Sequence, residues 1–149
     1  MPDFLDKTVD KFTFRVATDR LYSSEGVWAR QEAGGRVRVG IADYVQQHSG
    51  DVAFVSLKPP GTRLAAGDEL AEFETVKTTF GLASPLSGTV AEVNAALDTT
   101  PEVINDDPYG RGWLATIAAE NWESDRVKLL DAAGYFSVME SQVREALEQ

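Results

Sequence analysis

Clusters of proline, glycine and small polar residues interrupt the middle of this chain so closely that the apolar runs between them are only strand-sized. Lys58-Pro59-Pro60-Gly61, Gly67-Asp68, Ser84-Pro85 and Leu86-Ser87-Gly88 all fall between Lys58 and Gly88. Each stops an extended run, because proline removes a backbone donor and glycine admits the dihedrals of a tight turn. Around them DVAFVSL (Asp51 to Leu57), a run carrying Leu70, Phe73 and Val76, then TTFGLA and TVAEV (Thr89 to Val93) read as strands. Upstream, KFTFRV places Phe12, Phe14 and Val16 on one face. GVWARQEAGGRVRVG predicts a hairpin that turns at Ala33-Gly34-Gly35. Many short strands at short spacing indicate a mainly β barrel or sandwich rather than a parallel sheet.

Helices are expected in two places. IADYVQQHSG predicts a short one closing near Gly50. At the C-terminus, Ser124 is positioned to cap a turn in DRVKLLDAA, and Ser137 with Glu140 has the spacing of a capping box before Met139, Val143, Ala146 and Leu147. The stretch from Asn94 to Trp113 is irregular, and LATIAA after it offers one more strand. With 149 residues, 43% of them hydrophobic, one domain over residues 1–149 is expected, with an N-terminal extension over 1–22 and C-terminal helices over 124–149.

Composition removes several classes of function. The net charge of −10 opposes binding to nucleic acid or to anionic lipid surfaces. No run approaches the roughly 18 apolar residues of a membrane span, so no membrane association is expected. The absence of cysteine excludes disulfides and a cysteine nucleophile, and suits a reducing cytoplasm. Any redox chemistry must then come from an attached group. His48, the single histidine, stands at the expected helix end, where a cation suits the helix dipole, and no GxSxG-like elbow accompanies it. Asn105-Asp106-Asp107 lacks the alternating spacing of a calcium loop and reads as a turn held by its own side chains. No phosphate-binding glycine motif occurs. A catalytic site is therefore not expected.

Lys77 is the only basic residue in ELAEFETVKTTFGLASPLSGTV, residues 69–90. It falls between two strand-like runs. A lysine ammonium is protonated at neutral pH and a poor nucleophile, so acylation requires an activating enzyme. A turn tip serves such an enzyme well: the sheet fixes the backbone and the side chain projects into water. Glu74 offers an acidic handle, and Thr75, Val76, Thr78 and Thr79 favour extended backbone on both sides. The alternative is a polar tip residue with no further role.

ETVKTTFGLASPLSGTVAEVN resembles the lipoyl-attachment region of the glycine cleavage system H protein family, in which an acid, a small hydroxyl residue and valine precede the modified lysine. Gly61 lies 77 − 61 = 16 positions before Lys77 and Gly88 lies 88 − 77 = 11 positions after it, as in that family. VGIADYVQQHSGDVAFVSL and PEVINDDPYGRGWLATI resemble two further family segments, so the likeness spans roughly residues 27 to 118. It implies a flattened β-barrel, or barrel-sandwich hybrid, that carries lipoic acid in amide linkage to Lys77. Glu74, Thr75, Val76, Thr78, Gly61 and Gly88 form the recognition or turn setting. The implied protein is a carrier, not an enzyme, served by a lipoate ligase or lipoyl synthesis machinery and by dihydrolipoamide dehydrogenase. Biotin is the neighbouring alternative, but biotinyl lysines are typically flanked by methionines, whereas Val76 and Thr78 flank this one.

Two departures separate this chain from the family pattern. Gly26-Val27-Trp28 stands where the family usually has His-Glu-Trp, and an added strand precedes the usual start. Loss of the acid at Val27 is expected to alter an amine-binding cleft. Both features resemble H-protein-like lipoate-binding proteins that serve cytoplasmic sulfur oxidation with a heterodisulfide-reductase-like complex. The expected cargo is then a sulfur-bearing intermediate. The alternatives are an aminomethyl group carried among the glycine cleavage enzymes, a lipoate-relay protein, and an interaction module without lipoate.

Overall fold

The computed structural model describes residues 3–147. The ends of the two expected terminal segments, residues 1, 2, 148 and 149, lie outside the described residues. The described residues form three antiparallel sheets. β1 (Phe4–Val9) and β2 (Phe12–Ala17) make a hairpin, the first strand of which the sequence did not announce. A six-stranded sheet runs in the order β3 (Leu21–Tyr22), β4 (Val27–Glu32), β5 (Arg36–Ile41), β11 (Ala115–Ala119), β10 (Gly88–Val93), β7 (Arg63–Leu64). A three-stranded sheet is formed by β6 (Val52–Leu57), β8 (Glu69–Thr75) and β9 (Thr79–Ala83).

The expected alternation explains why these two larger sheets face each other. Val27, Ala29, Val37 and Val39 from one, and Val55, Leu70, Phe73 and Leu82 from the other, enter a single buried cluster. Phe73 and Phe80 stack within it at 5.2 Å between ring centroids. The mainly β, barrel-sandwich architecture is as expected. The β4–β5 hairpin turns over Ala33–Gly35, also as expected, with Val27 opposite Ile41 and Ala29 opposite Val39.

A second buried cluster lies outside the sandwich. Phe14 and Val16 of β2, Tyr22, Trp28 and Tyr109 meet Tyr135, Met139 and Val143 of α5 (Ala132–Leu147). The PYG segment ties this cluster together: the Trp28 indole donates to the Pro108 carbonyl at 3.0 Å, and the Tyr109 hydroxyl donates to the Arg15 carbonyl at 2.7 Å. Arg20, almost wholly buried, stacks over the Trp28 ring and donates to the Tyr109 carbonyl. The hairpin is thereby packed on the body of the protein.

Several local expectations change. The irregular stretch contains two single-turn helices, α2 (Ala96–Thr99) and α3 (Val103–Asp106). Ser124 lies inside α4 (Trp122–Arg126), and Ser137 lies inside α5 rather than at its start. Asp131 takes the capping role instead, its carboxylate accepting from the Gly134 backbone N–H at 2.8 Å. A carboxylate placed ahead of Ala132 lets the helix begin well before Ser137. Val76 does not extend a buried strand; it is 76% exposed in the turn after β8. Among the described residues no helix is long and apolar enough to cross a membrane.

Candidate functional site

Lys77 sits, exposed, in the turn between β8 and β9, where Glu74 pairs with Thr79. The turn is held by one hydroxyl. Thr75 Oγ1 accepts from the backbone N–H groups of Lys77 and Thr78 at 3.2 and 3.1 Å, and donates to the Ser49 carbonyl at 2.7 Å. Threonine suits this place because its short side chain bonds to backbone two or three residues ahead. The Thr75 backbone N–H closes the turn onto the Thr78 carbonyl at 2.8 Å.

The second wall of the site is the C-terminal end of α1 (Asp43–Ser49), the helix expected before Gly50. Asp43 steadies its start, accepting from Gln46, Gln47 and the Arg15 backbone N–H. Gly50, at φ 89°, ends it and returns its N–H to the Gln46 carbonyl. A Cβ on Gly50 would stand 3.4 Å from both Cγ and Cδ of Lys77, so the bare glycine is the seat on which the lysine stem lies. Lys77 Nζ reaches the His48 carbonyl, one of those left free at the helix end, at 3.5 Å. Asn105 locks this helix end to β6: its side chain accepts from the Val52 N–H and donates to Gln46 and to the Gly50 carbonyl. Asp107 accepts from the Arg111 N–H, so Asn105 and Asp107 each support a loop.

Two cavities flank the lysine, separated by the stacked rings of Tyr44 and His48, 5.4 Å apart. One, of ≈ 190 Å³, includes Lys77 in its lining and is walled by the β1–β2 hairpin and α5. The other, of ≈ 510 Å³, is bordered by Thr78, Phe80 and Gly81 and bears two carboxylates, Glu25 and Glu145. Burial, and then the Glu145 charge, push the Tyr44 hydroxyl above the ordinary tyrosine value. Glu145 thus acts on the wall between the cavities.

Thr75, Thr78 and the exposed Glu74 and Val76 are brought around Lys77 by the hairpin. The two framing glycines are not. Gly61, at φ 94°, forms a turn whose N–H meets the Val90 carbonyl. Gly88 opens β10, where a Cβ would collide with the Ala118 carbonyl oxygen across the ladder; close strand approach, not a turn, requires glycine there. Val27 is fully buried in the sandwich core and lines neither cavity, so its missing acid is a packing feature. Gly26, at φ 86°, lies against Tyr135, where a Cβ would come within 2.9 Å of the hydroxyl. The sequence marks His48 and Gly50 only as a helix end, and gives no sign that Tyr44, Glu25 and Glu145 belong to the site. No local pattern marks them, since α1, α5 and the turn before β4 meet near the Lys77 hairpin only in the folded chain.

The family model described as glycine cleavage H-protein matches residues 20–142. The glycine cleavage system H protein of Mycobacterium tuberculosis is 43% identical over 125 residues, covering 80% of this chain and 93% of the relative. That of Cronobacter sakazakii is 40% identical over 127 residues, covering 85% and 98%. Among solved structures, the crystal structure of a glycine cleavage system H protein from Mycobacterium marinum superposes with a TM-score of 0.72 at 35% identity, covering 80% of this chain and 95% of that one.

Proposed function

The chain belongs to the glycine cleavage H-protein family, and from that premise we propose that Lys77 holds a lipoyl group that carries an aminomethyl group among the glycine cleavage enzymes. Proteins of this family are carriers without catalytic activity of their own, and their lipoate is held covalently on a lysine. The attached group supplies a dithiolane that a chain without cysteine lacks.

What supports this cargo is the second cavity. Glu25 and Glu145 face a space beside Thr78, within reach of an arm from the neighbouring residue, and carboxylates attract a protonated amine. The hydrogen-bonded tip supports attachment at Lys77: Thr75 orders the backbone, Gly50 seats the stem, and the side chain stays exposed to a ligase. Partners follow from the cargo: a lipoate ligase or lipoyl synthesis machinery, glycine decarboxylase, the aminomethyltransferase and dihydrolipoamide dehydrogenase. A cytoplasmic location is part of the proposal and suits the absence of cysteine.

The sulfur-bearing cargo expected first from the sequence loses its main support, because Val27 lies in the core and the cavity carries other acids. The relatives reported above are all named for glycine cleavage.

Intact-mass measurement of protein from its native host tests attachment: one lipoyl addition is expected on the wild type and none on Lys77→Arg. Reconstitution of the lipoylated protein with glycine decarboxylase tests the cargo. Efficient aminomethyl loading is expected; a fully lipoylated protein that is not loaded would overturn the glycine cleavage assignment and return the heterodisulfide-reductase-like complex as partner.

A further inference from the structure

The smaller cavity sets α1 and Lys77 against parts of this chain that lie on either side of the family match at residues 20–142. Val9, Phe12 and Phe14 come from the hairpin before it, and Val143, Ala146 and Leu147 from the end of α5 after it. We propose that this cavity is a parking site for the chain's own arm, holding the uncharged dithiolane on Lys77 when the arm is oxidised and carries no cargo. The proposal rests on lipoate being attached to Lys77.

The position, size and lining of the cavity carry it. Lys77 itself lines the cavity, so the arm starts at the wall of the site and needs no partner to bring it there. A short tether of this kind gives an effective concentration of order millimolar, enough for a weak apolar contact to be populated. The volume of ≈ 190 Å³ lies below the roughly 300–1,000 Å³ of drug-sized pockets and fits a small ring rather than a large ligand.

The chemistry of the walls selects the uncharged form. Phe14 packs edge-on to Tyr44 at 5.6 Å, and Phe12 stacks beside Phe14 at 6.4 Å, leaving Phe12 50% exposed at the rim. Aromatic rings make favourable contacts with divalent sulfur. A free lysine ammonium is poorly suited to an apolar recess, but acylation removes its charge while leaving an N–H that can still donate to the His48 carbonyl. A cationic cargo reverses the preference, because among the described residues no carboxylate lines this cavity whereas Glu25 and Glu145 line the other. The Tyr44–His48 pair borders both, so a swing past one wall exchanges the two sites.

The test uses full-length protein lipoylated by a lipoate ligase, with occupancy verified by intact mass. The rate of dithiolane reduction by a water-soluble phosphine is measured for the wild type, Phe12→Ser, Glu145→Gln and free lipoamide. Reduction of the wild type is expected to be about fivefold slower than that of free lipoamide, as tethered docking would give. Phe12→Ser should recover most of that difference, and Glu145→Gln should leave the protection in place. Phe12 is half exposed, so its replacement should leave circular dichroism and thermal unfolding close to the wild type. A Leu147→Ser variant at the same rim provides the same readout should Phe12→Ser unfold.

Wild-type reduction as fast as free lipoamide overturns the proposal, as does protection that persists in both folded rim variants or disappears in Glu145→Gln. A protein that accepts no lipoyl group at Lys77 fails at the mass measurement instead, and that result overturns the attachment itself.

Discussion

The Thr75 hydroxyl donates to the carbonyl of Ser49 at 2.7 Å, joining the tip of the β8–β9 hairpin to the last residue of α1. The same oxygen accepts from the Lys77 and Thr78 backbone N–H groups. One side chain therefore orders the turn that carries Lys77 and fixes it against the helix end on which the lysine stem lies. Thr75→Val keeps the shape and removes all three bonds. Its expected cost is about 1–2 kcal/mol of stability, the usual consequence of losing a partly buried hydrogen-bonded hydroxyl. The second-order rate of lipoylation should fall by more than the stability change explains. An unchanged rate with full lipoyl occupancy would show that the ligase reads the lysine without needing the ordered turn.

Gly26 and Tyr135 make a second prediction. A Cβ at Gly26 would meet Val45 Cγ2 at 2.5 Å and the Tyr135 hydroxyl at 2.9 Å, at a φ of 86°. Gly26→Ala combines backbone strain with overpacking and should cost about 2–4 kcal/mol in urea unfolding. Tyr135→Phe should be neutral or stabilising by about 1 kcal/mol, because its buried hydroxyl has no hydrogen-bond partner among the described residues. A large loss in Tyr135→Phe would mean that the hydroxyl is satisfied in solution.

The carboxylates of the larger cavity carry a prediction about cargo. Glu25→Gln and Glu145→Gln each remove one negative charge from that cavity, and the double variant should release or hydrolyse the bound aminomethyl group about tenfold faster, the equivalent of about 1.4 kcal/mol. Lipoylation by the ligase should be unaffected. Identical cargo lifetimes in wild type and double variant would remove these acids from the function.

Alkaline stability follows from the aromatic cluster. Burial is the main cause that pushes Tyr109 up to about 12 and raises Tyr22 and Tyr135 further above the ordinary value of 10.0. The neutral phenol is the form the fold accepts. The contribution is complete below pH 10 and is lost as the pH rises through the folded values, because unfolded tyrosines ionise first. The unfolding midpoint in urea should hold steady from neutral pH to about pH 9 and drop steeply between pH 10 and 12. Ultraviolet titration of the folded protein should show these tyrosines ionising late, together with unfolding; independent ionisation near pH 10 would contradict their burial.

Much of the molecule could be read from its sequence because the relevant physics is local. Alternation at Val27, Ala29, Val37 and Val39, the glycine pair at Gly34-Gly35 and the proline stop after Leu57 each act over a few residues, and each produced the expected element. The lone lysine of residues 69–90 likewise marked the tip of a hairpin. Local rules misjudged the start of α5, where Asp131 caps the helix ahead of Ser137. They also misjudged Gly88, which answers to the Ala118 carbonyl on a neighbouring strand.

The sequence by itself determined a mainly β carrier fold with Lys77 exposed at a turn. The tertiary structure decided what surrounds that lysine. Gly50 under its stem, Tyr44 and His48 as a dividing wall, Glu25 and Glu145 on one side, and Phe12 with Leu147 on the other come from four separated segments. Side chains far apart along the chain share a cavity only after the sheets close and α5 packs across the hairpin, and no short-range pattern encodes that meeting.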